Sequence, residues 1–271
     1  MPRLIVNADD FGRSPSINEA VIRAHREGIL TTASLMVNEP ACAAAVDLAR
    51  QNPRLGVGLH LTLLCGRSAL APAQIPGLVD EQGRFSNDPV QVGMNYFFRR
   101  GLRTQLAAEI GAQFERFRAT GLPLDHVNGH LHLHLHPVVF KILLEHARDW
   151  GLTRLRLTCD PWRLNARLAK GAWLYRVSHY LIYRALSASA RPALRRLGIR
   201  HTQRVFGLLQ NARVDRDFVA GLLAALPPGD SELYSHPALD EARPEFEALI
   251  DPQVKTLAAR PGLELIRYQD L

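Results

Sequence analysis

Four separated groups of polar side chains could carry metal-assisted chemistry. The first is an adjacent carboxylate pair, Asp9 and Asp10 in "NADDFG", and the second is a single imidazole, His60 in "GLHLTL". The third is "HVNGHLHLHLHP" at 126–137, which holds five of the eleven histidines, and the fourth is His236 in "ELYSHP". Each group alone is unspecific, because Asp pairs are common in solvated loops and a lone histidine in a strand is usually a hydrogen-bonded core residue. Two imidazoles and one carboxylate that converge, however, are the ligands that an open catalytic metal site requires.

The histidine run must be divided between roles, because its side chains cannot all ligate one ion. Period-two spacing predicts that alternate residues share one face of a strand. These residues are His126, Asn128, His130, His132 and His134. We expect His130 to be the ligand, since it follows a small glycine at a strand end, and His132 or His134 to supply a second ligand or an outer hydrogen bond. A histidine-rich loop without metal is the alternative interpretation.

The stretches between these groups alternate short β-rich runs with helical patterns. Strands are predicted at "RLIVNAD", "TTASLMV", "LGVGLHLTLL", "LDHVNGHLH", "LTRLRLT", "ELYSH" and "LELIRY". Helices are predicted between them, including "INEAVIRAHREG", which has a capping box from Ser16 to Glu19 and stops at Gly28. A single late helix is predicted at "RPEFEALIDPQVKTLAAR". Strands and helices that alternate this often indicate an α/β fold with a parallel sheet and helices outside it.

About seven such units favour a TIM-like, irregular (β/α) barrel of about seven parallel strands over an open doubly wound sheet. A chain of 271 residues with 47% hydrophobic composition fits one such barrel, and we predict a single domain over 1–271. Loops gather at the carboxyl ends of barrel strands, and all four polar groups follow such ends. The predicted metal site therefore lies at the mouth of the barrel.

Cysteine usage, the N-terminus and missing motifs disfavour other classes of protein. Cys42, Cys65 and Cys159 are far apart and form no CxxC pair, which argues against a disulfide framework and a cysteine zinc site. The N-terminal apolar run spans only residues 4–6, so we expect no secretory signal, no membrane span and a cytoplasmic protein. The sequence has neither a GxSxG nucleophile elbow nor a Walker-type phosphate loop, which disfavours covalent acyl transfer and nucleotide hydrolysis.

The net charge of +7 arises from one segment. Residues 161–214 contain eleven Arg and Lys and no Asp or Glu, while the rest of the chain has 22 basic against 26 acidic residues. We interpret 161–214 as a basic, amphipathic helical insertion in the barrel. Helical periodicity places an apolar group on one side of it, with two arginines flanking the aromatic rings: Trp173, Val177, Tyr180 and Leu181, with Arg176 and Arg184.

Three interpretations of this insertion stay open. A basic, aromatic helix lies well on an anionic membrane surface, which predicts peripheral membrane contact through 161–204. Alternatively, Trp173 and Leu181 pack into the barrel and the arginines are solvated. Nucleic-acid binding is less favoured, because no recognisable RNA- or DNA-binding motif accompanies the charge. We therefore expect no nucleic-acid partner.

The motifs, taken in order, resemble the YdjC-like carbohydrate deacetylases. "NADDFG", "GLHLTL", "HVNGHLHLH", an arginine in the next strand and a late "SHP" follow that family's series over most of the chain. The resemblance implies an irregular β/α barrel that hydrolyses the N-acetyl group of acetylated amino sugars with one bound divalent metal. Within the family, the opening segment and the basic insertion resemble the branch associated with hopanoid biosynthesis, which implies an N-acetylglucosaminyl hopanoid lipid as substrate.

Carried over position by position, the resemblance implies a role for each matched residue. Asp10 looks like the carboxylate ligand of the metal, and His60 and His130 look like the imidazole ligands. Asp9 looks like the general base and His236 like the proton donor. Arg156 resembles the strand arginine that orients the general base in the family. The segment "HVNGH" departs from many relatives, which have an acidic residue and two adjacent histidines there, so the choice of histidine ligand stays open.

The chemistry of amide hydrolysis agrees with these roles. A divalent ion lowers the pKa of bound water and polarises the carbonyl, and the departing amine needs a proton from a group that titrates near neutrality. The ion could be zinc or magnesium, although two imidazoles favour zinc or a similar transition metal. Two alternatives remain: deacetylation of a chitooligosaccharide that is not linked to lipid, and a non-catalytic metal- or ligand-binding protein on the same barrel.

Overall fold

A curled sheet of parallel strands forms the centre of the molecule in the computed structural model, which describes residues 1–169, 171–210 and 213–271. The strands within these ranges are β1 (Pro2–Phe11), β2 (Thr32–Leu35), β3 (Gly56–Leu61), β4 (Val127–Gly129), β5 (Arg204–Phe206), β6 (Gly229–Ser235) and β7 (Glu264–Ile266). Their order is β4-β3-β2-β1-β6-β5, and β7 pairs with the first half of β1. β2 pairs with the second half of β1, from Asn7 onward, so β7 and β2 share one edge of the central strand.

An irregular segment draws the two ends of this sheet together. The stretch "LTRLRLT", predicted as a strand, makes only isolated bridges, from Leu155 to Val127 of β4 and from Arg154 to Arg200. Just beyond, the Val205 N–H of β5 donates to the Cys159 carbonyl at 3.1 Å. The sheet is thereby curled into the irregular, barrel-like α/β fold of six to seven parallel strands that the sequence predicts.

Helices pack on the outside of this sheet. Those of the described residues are α1 (Pro15–Glu27), α2 (Cys42–Arg50), α3 (Pro89–Phe98), α4 (Leu102–Ala119), α5 (Pro137–Glu145), α6 (Trp162–Leu168), α7 (Trp173–Leu197), α8 (Arg216–Ala225), α9 (Arg243–Ile250) and α10 (Pro252–Ala258). No helix among them is long and apolar enough to span a membrane.

Two helix boundaries differ from prediction because of proline. α1 begins at Pro15, and its cap is Ser14, whose hydroxyl accepts from the Ile17 N–H at 3.3 Å, so the predicted capping box at Ser16 is wrong. Proline suits the first helical position because that position needs no N–H donor. The late helix predicted as one is two, because Asp251 caps a new helix that starts at Pro252.

The histidine run does not continue as a strand. β4 ends at Gly129, and residues His130–Leu135 form a 3₁₀ segment in which Leu131 and His132 have φ of +47° and +57°. The predicted period-two face is therefore wrong beyond the strand. A Cβ on Gly129 would lie 3.2 Å from the Leu61 carbonyl oxygen and 3.3 Å from the Cβ of His134, so a small residue is needed where the chain turns.

Within the basic segment, α7 lies on the surface, where Arg176 differs from prediction and two apolar residues exclude one of the alternatives. Arg176 is buried and donates to the carbonyl oxygens of Ala169 (3.0 Å) and Asn165 (2.8 Å), so it is neither solvated nor available to a membrane. Trp173 and Leu181 are 60% and 57% exposed, so they do not pack into the barrel. One basic residue of the segment, Lys170, lies outside the described residues, as do residues 211–212.

Candidate active site

Three side chains from the carboxyl ends of β1, β3 and β4 meet at the mouth of the sheet. Asp10 lies at the end of β1, His60 in β3 and His130 directly after β4. The Asp10 Oδ1 is 2.9 Å from His130 Nδ1 and 3.2 Å from His60 Nε2, and all three residues are buried. Asp10 has φ of +64°, a conformation unusual for a residue with a side chain and one that clusters at functional sites. This trio offers two nitrogen donors and one carboxylate, the donor set of an open transition-metal site.

The environment of His60 tests whether a metal fits here. Its Nδ1 donates to Asn128 Oδ1 at 2.7 Å, and the amide of Asn128 is fixed by its own donations to Asp9 and Ser34. The buried Nε2 faces the Asp10 carboxylate without an aligned hydrogen bond to any described residue. Because Nδ1 donates to Asn128, Nε2 is the ring atom that can bind a metal once it has lost its proton, so the arrangement fits a divalent ion held between imidazole and carboxylate.

The charge state of Asp10 suits the same interpretation. Burial alone would raise the pKa of this carboxyl group, but the hydrogen bond from His130 and the attraction of His130 and His60 outweigh burial and hold the pKa well below its usual range. Asp10 Oδ2 is also 2.9 Å from the guanidinium of Arg13. The carboxylate is therefore ionised and ready to ligate.

Asp9, the neighbour of the metal-facing carboxylate, is held by a buried arginine. Arg156 donates to both of its oxygens, at 2.7 Å to Oδ2 and 2.9 Å to Oδ1. Oδ1 also accepts from Asn7 at 2.8 Å and from Asn128 at 3.2 Å. Burial raises the pKa of Asp9, but the charge of Arg156 dominates together with that of His60 and lowers it far below the ordinary value. Oδ2 has the fewer donors, so it is the oxygen left to accept a proton.

A second buried carboxylate, which sequence reasoning missed, completes the surroundings of Arg156. Glu232 in β6 accepts from Arg156 Nε at 2.9 Å and from its NH2 at 2.7 Å, and also from the hydroxyl of Tyr268. The guanidinium lies 4.5 Å above the ring centre of Tyr234. The arginine is thus fixed from three sides, and the carboxylate of Asp9 with it.

His236 faces Asp9 from the end of β6. Its ring is half-exposed, with Nε2 4.0 Å from Asp9 Oδ2. Glu245 of α9, also missed from the sequence, accepts from the His236 backbone N–H at 2.6 Å, and its carboxylate is 3.9 Å from the ring Nδ1. Its other oxygen accepts from the Val214 N–H at 3.1 Å. A buried carboxylate thereby fixes the loop that carries this imidazole.

His132 and His134 lie outside the three-residue cluster. His134 Nε2 donates to the Arg156 carbonyl oxygen at 3.0 Å, and burial lowers its pKa to about 3. The His132 Nε2 is hydrogen-bonded to the Tyr234 hydroxyl at 2.9 Å, and burial with the nearby Arg156 charge holds its pKa well below the usual value. Both rings are neutral. Their partners direct them away from Asp10, so the structure does not support either as a metal ligand.

A cavity of about 350 Å³ opens beside Asp9 and His236. Its walls carry aromatic and apolar side chains from the turn after β4, from the segment after β5 and from α7: Leu131, His132, Tyr175, His179, Tyr183, Leu208 and Tyr234. Helix α7 of the basic segment therefore forms one wall of the candidate active site. A larger cleft of about 660 Å³ runs along residues 77–96 and contacts none of the candidate catalytic or metal-binding residues.

The fold and the site together define a barrel-like α/β protein with a candidate metal centre at the carboxyl ends of its strands. The chain belongs to the YdjC-like protein family, whose model matches residues 3–260. This confirms the resemblance drawn from "NADDFG", "GLHLTL" and the later motifs.

Individual relatives support the same family. The chain is 41% identical over 148 residues to a carbohydrate deacetylase of Brevibacillus brevis, covering 55% of this chain and 56% of the relative. It is 42% identical over 167 residues to a carbohydrate deacetylase of Geobacillus stearothermophilus, covering 60% and 64%. The matched part thus spans less than two thirds of these relatives.

One solved structure covers nearly the whole chain. It belongs to a protein of Enterococcus faecalis V583 described as a candidate for cellobiose-phosphate cleavage, and it superposes with a TM-score of 0.75 at 24% identity over 99% of this chain and 98% of that one. At this identity the similarity supports the fold.

Proposed function

We propose that the protein is a metal-dependent hydrolase that removes the N-acetyl group from an acetylated amino sugar. The observation that carries the proposal is the Asp10, His60 and His130 cluster beside the Asp9–Arg156 pair, with His236 Nε2 4.0 Å from Asp9 Oδ2. The family membership and the names of the curated relatives support the same reaction class.

Each side chain has one task in this reaction. Asp10, His60 and His130 would hold the ion, which when bound activates water and polarises the acetyl carbonyl. Asp9 accepts the proton of the attacking water on Oδ2, and the hydrogen bond from Arg156 holds that oxygen in position during the proton transfer. His236 gives a proton to the departing amine from the solvent side of the site. We propose zinc or a similar transition metal rather than magnesium, because two of the three ligands are imidazoles.

We further propose that the acetyl group belongs to the N-acetylglucosaminyl headgroup of a hopanoid lipid. The support is the aromatic wall that α7 places beside Asp9 and His236, since a polycyclic, apolar aglycone needs an apolar surface next to the sugar site. Exposed Trp173 and Leu181 on the same helix support peripheral contact with the inner face of a cytoplasmic membrane through 161–204. No feature of the described residues adds support for nucleic acid.

Acetate release by the purified protein tests the proposal. The substrates are an N-acetylglucosaminyl hopanoid in detergent and diacetylchitobiose, each assayed after chelation and after return of zinc or magnesium. Metal-rescued acetate release from the lipid alone supports the full proposal. Release from diacetylchitobiose alone supports the deacetylase activity but indicates a chitooligosaccharide, not a hopanoid lipid, as the substrate. Release from neither, with one metal still bound per chain, would identify a binding protein on the same barrel.

A further inference from the structure

Helix α3 exposes an apolar stripe that neither the catalytic proposal nor the charge pattern of the sequence explains. Its inner face is anchored, because Val92 and Tyr96 are buried and the Tyr96 hydroxyl donates to the Leu63 carbonyl at 2.8 Å. Its outer face carries four exposed side chains, which are 52% to 73% exposed: Val90, Met94 one turn later, and the adjacent Phe97 and Phe98 one further turn on. A stripe of this kind on a surface helix marks an interaction site.

The position of α3 connects this stripe to the candidate active site. Pro89, the first residue of α3, lines the same cavity as Tyr175, His179 and Tyr183 of α7. Leu131, which is 50% exposed, lines it as well, and its carbonyl oxygen accepts from the Tyr183 hydroxyl. The cavity beside Asp9 is therefore bordered by two helices with outward apolar residues.

Apart from Asp88, whose carboxylate caps α3 and accepts from the Val90 N–H, the charges that flank both stripes in the sequence are positive. No acidic residue occurs between 89 and 108, and the exposed Arg99 and Arg100 directly follow Phe98. On α7, Leu174 and Ile182 are exposed beside Trp173 and Leu181, within the segment that has no acidic residue at all. Apolar side chains next to arginines match an anionic bilayer, which takes up the former and attracts the latter.

We infer that α3 is a second membrane-contacting helix, which inserts Val90, Met94, Phe97 and Phe98 into an anionic lipid surface while α7 does so on the other border of the cavity. The inference rests on the membrane contact proposed above and extends it to a segment outside 161–204. A site bordered by two such helices would receive its substrate from the bilayer, because residues of both helices line its cavity.

Flotation with vesicles tests this inference. The probes are phosphatidylglycerol-containing vesicles and pure phosphatidylcholine vesicles, at low and at high salt. We expect the unaltered protein to float with the anionic vesicles at low salt. The double variant Phe97→Ser/Phe98→Ser should partition about tenfold more weakly, because it lacks the two aromatic rings that would move from water into the lipid. The matched control is Leu197→Ser, which removes an apolar side chain that is 46% exposed but lies fifteen positions beyond Ile182, outside the exposed apolar group at 173–182 through which α7 is proposed to contact lipid. We expect it to partition like the unaltered protein.

The outcomes distinguish a failure of this inference from a failure of the proposals on which it rests. Unaltered flotation of the double variant would overturn the role of α3 while leaving α7 as the membrane helix. A failure of the unaltered protein to float would overturn membrane contact altogether, and metal-rescued acetate release would still report on the deacetylase. If the unaltered protein fails to float and sediments as a dimer that the double variant abolishes, the occupant of the stripe is a second copy of this chain, which also overturns the inference. Thermal unfolding of each variant checks that it is folded.

Discussion

Replacing Arg156 by Met should reveal how strongly the site depends on one buried cation. Arg156 is fully buried and donates two hydrogen bonds to Asp9 and two to Glu232. Methionine has a similar length but leaves both carboxylates without their counter-charge. Removing one partner of a buried ion pair costs about 3–5 kcal/mol of unfolding free energy, and we expect that loss at pH 7. Catalysis should fall as well, because Asp9 loses the group that orients it.

The pH dependence of this loss gives the sharper test. In the unaltered protein the pKa of Asp9 lies far below its unfolded value, so its contribution to stability is present above about pH 4 and disappears only in stronger acid. Without Arg156, burial would instead raise the pKa of Asp9 above the unfolded value. Protonation of Asp9 then removes the unpaired buried charge, so the destabilisation caused by Arg156→Met should shrink as the pH falls from 8 towards about 5.

Urea unfolding of both proteins across this pH range, with metal present, measures the difference. The control is Arg3→Met, which breaks the partly exposed pair between Arg3 and Asp230 and should cost about 0–1 kcal/mol. If Arg156→Met costs no more than Arg3→Met, or if its destabilisation grows on acidification, the account of a buried charge network held by Arg156 is refuted.

Three further predictions concern the catalytic and metal-binding side chains. Asp9→Asn should abolish acetate release while calorimetry still shows one metal per chain, and an unchanged rate would remove Asp9 from the mechanism. His130→Ala should abolish metal binding whereas His132→Ala should retain it, because only His130 contacts Asp10; equal losses in metal titrations would contradict the assignment. Glu245→Gln should lower kcat roughly tenfold with KM little changed, because the loop of His236 loses one of its fixed contacts, and Glu245→Asp should recover part of kcat.

The sequence predicted the site where residues of suitable chemistry lie at the ends of recognisable strands. Asp10 and His60 lie near the ends of β1 and β3, and His130 directly follows β4. These strands belong to one run of parallel pairings, β1–β2–β3–β4, so predicting the strands also predicted that their ends converge. The irregular barrel followed from the same alternation of strands and helices. The basic segment 161–214 stands out by its charge, but the orientation of its side chains could not be predicted, because Arg176 and Trp173 occupy the environments opposite to those their types suggest. Burial of Arg176 depends on carbonyl oxygens at the C-terminal end of α6, those of Asn165 and Ala169, which no local pattern encodes.

The residues that sequence reasoning missed have a common physical cause. Glu232 and Glu245 are acidic residues in an ordinary strand and an ordinary helix, and such residues are usually solvated. Each is buried because its partner comes from a distant part of the chain: Arg156 lies 76 positions before Glu232, and Val214 lies 31 before Glu245. A buried carboxylate is stable only once those donors are in place, so its burial is a product of the tertiary fold and leaves no local signature. The same reasoning separates His130 from His132. Their types and spacing are alike, but the left-handed backbone at Leu131 and His132 turns one ring towards Asp10 and the other towards Tyr234.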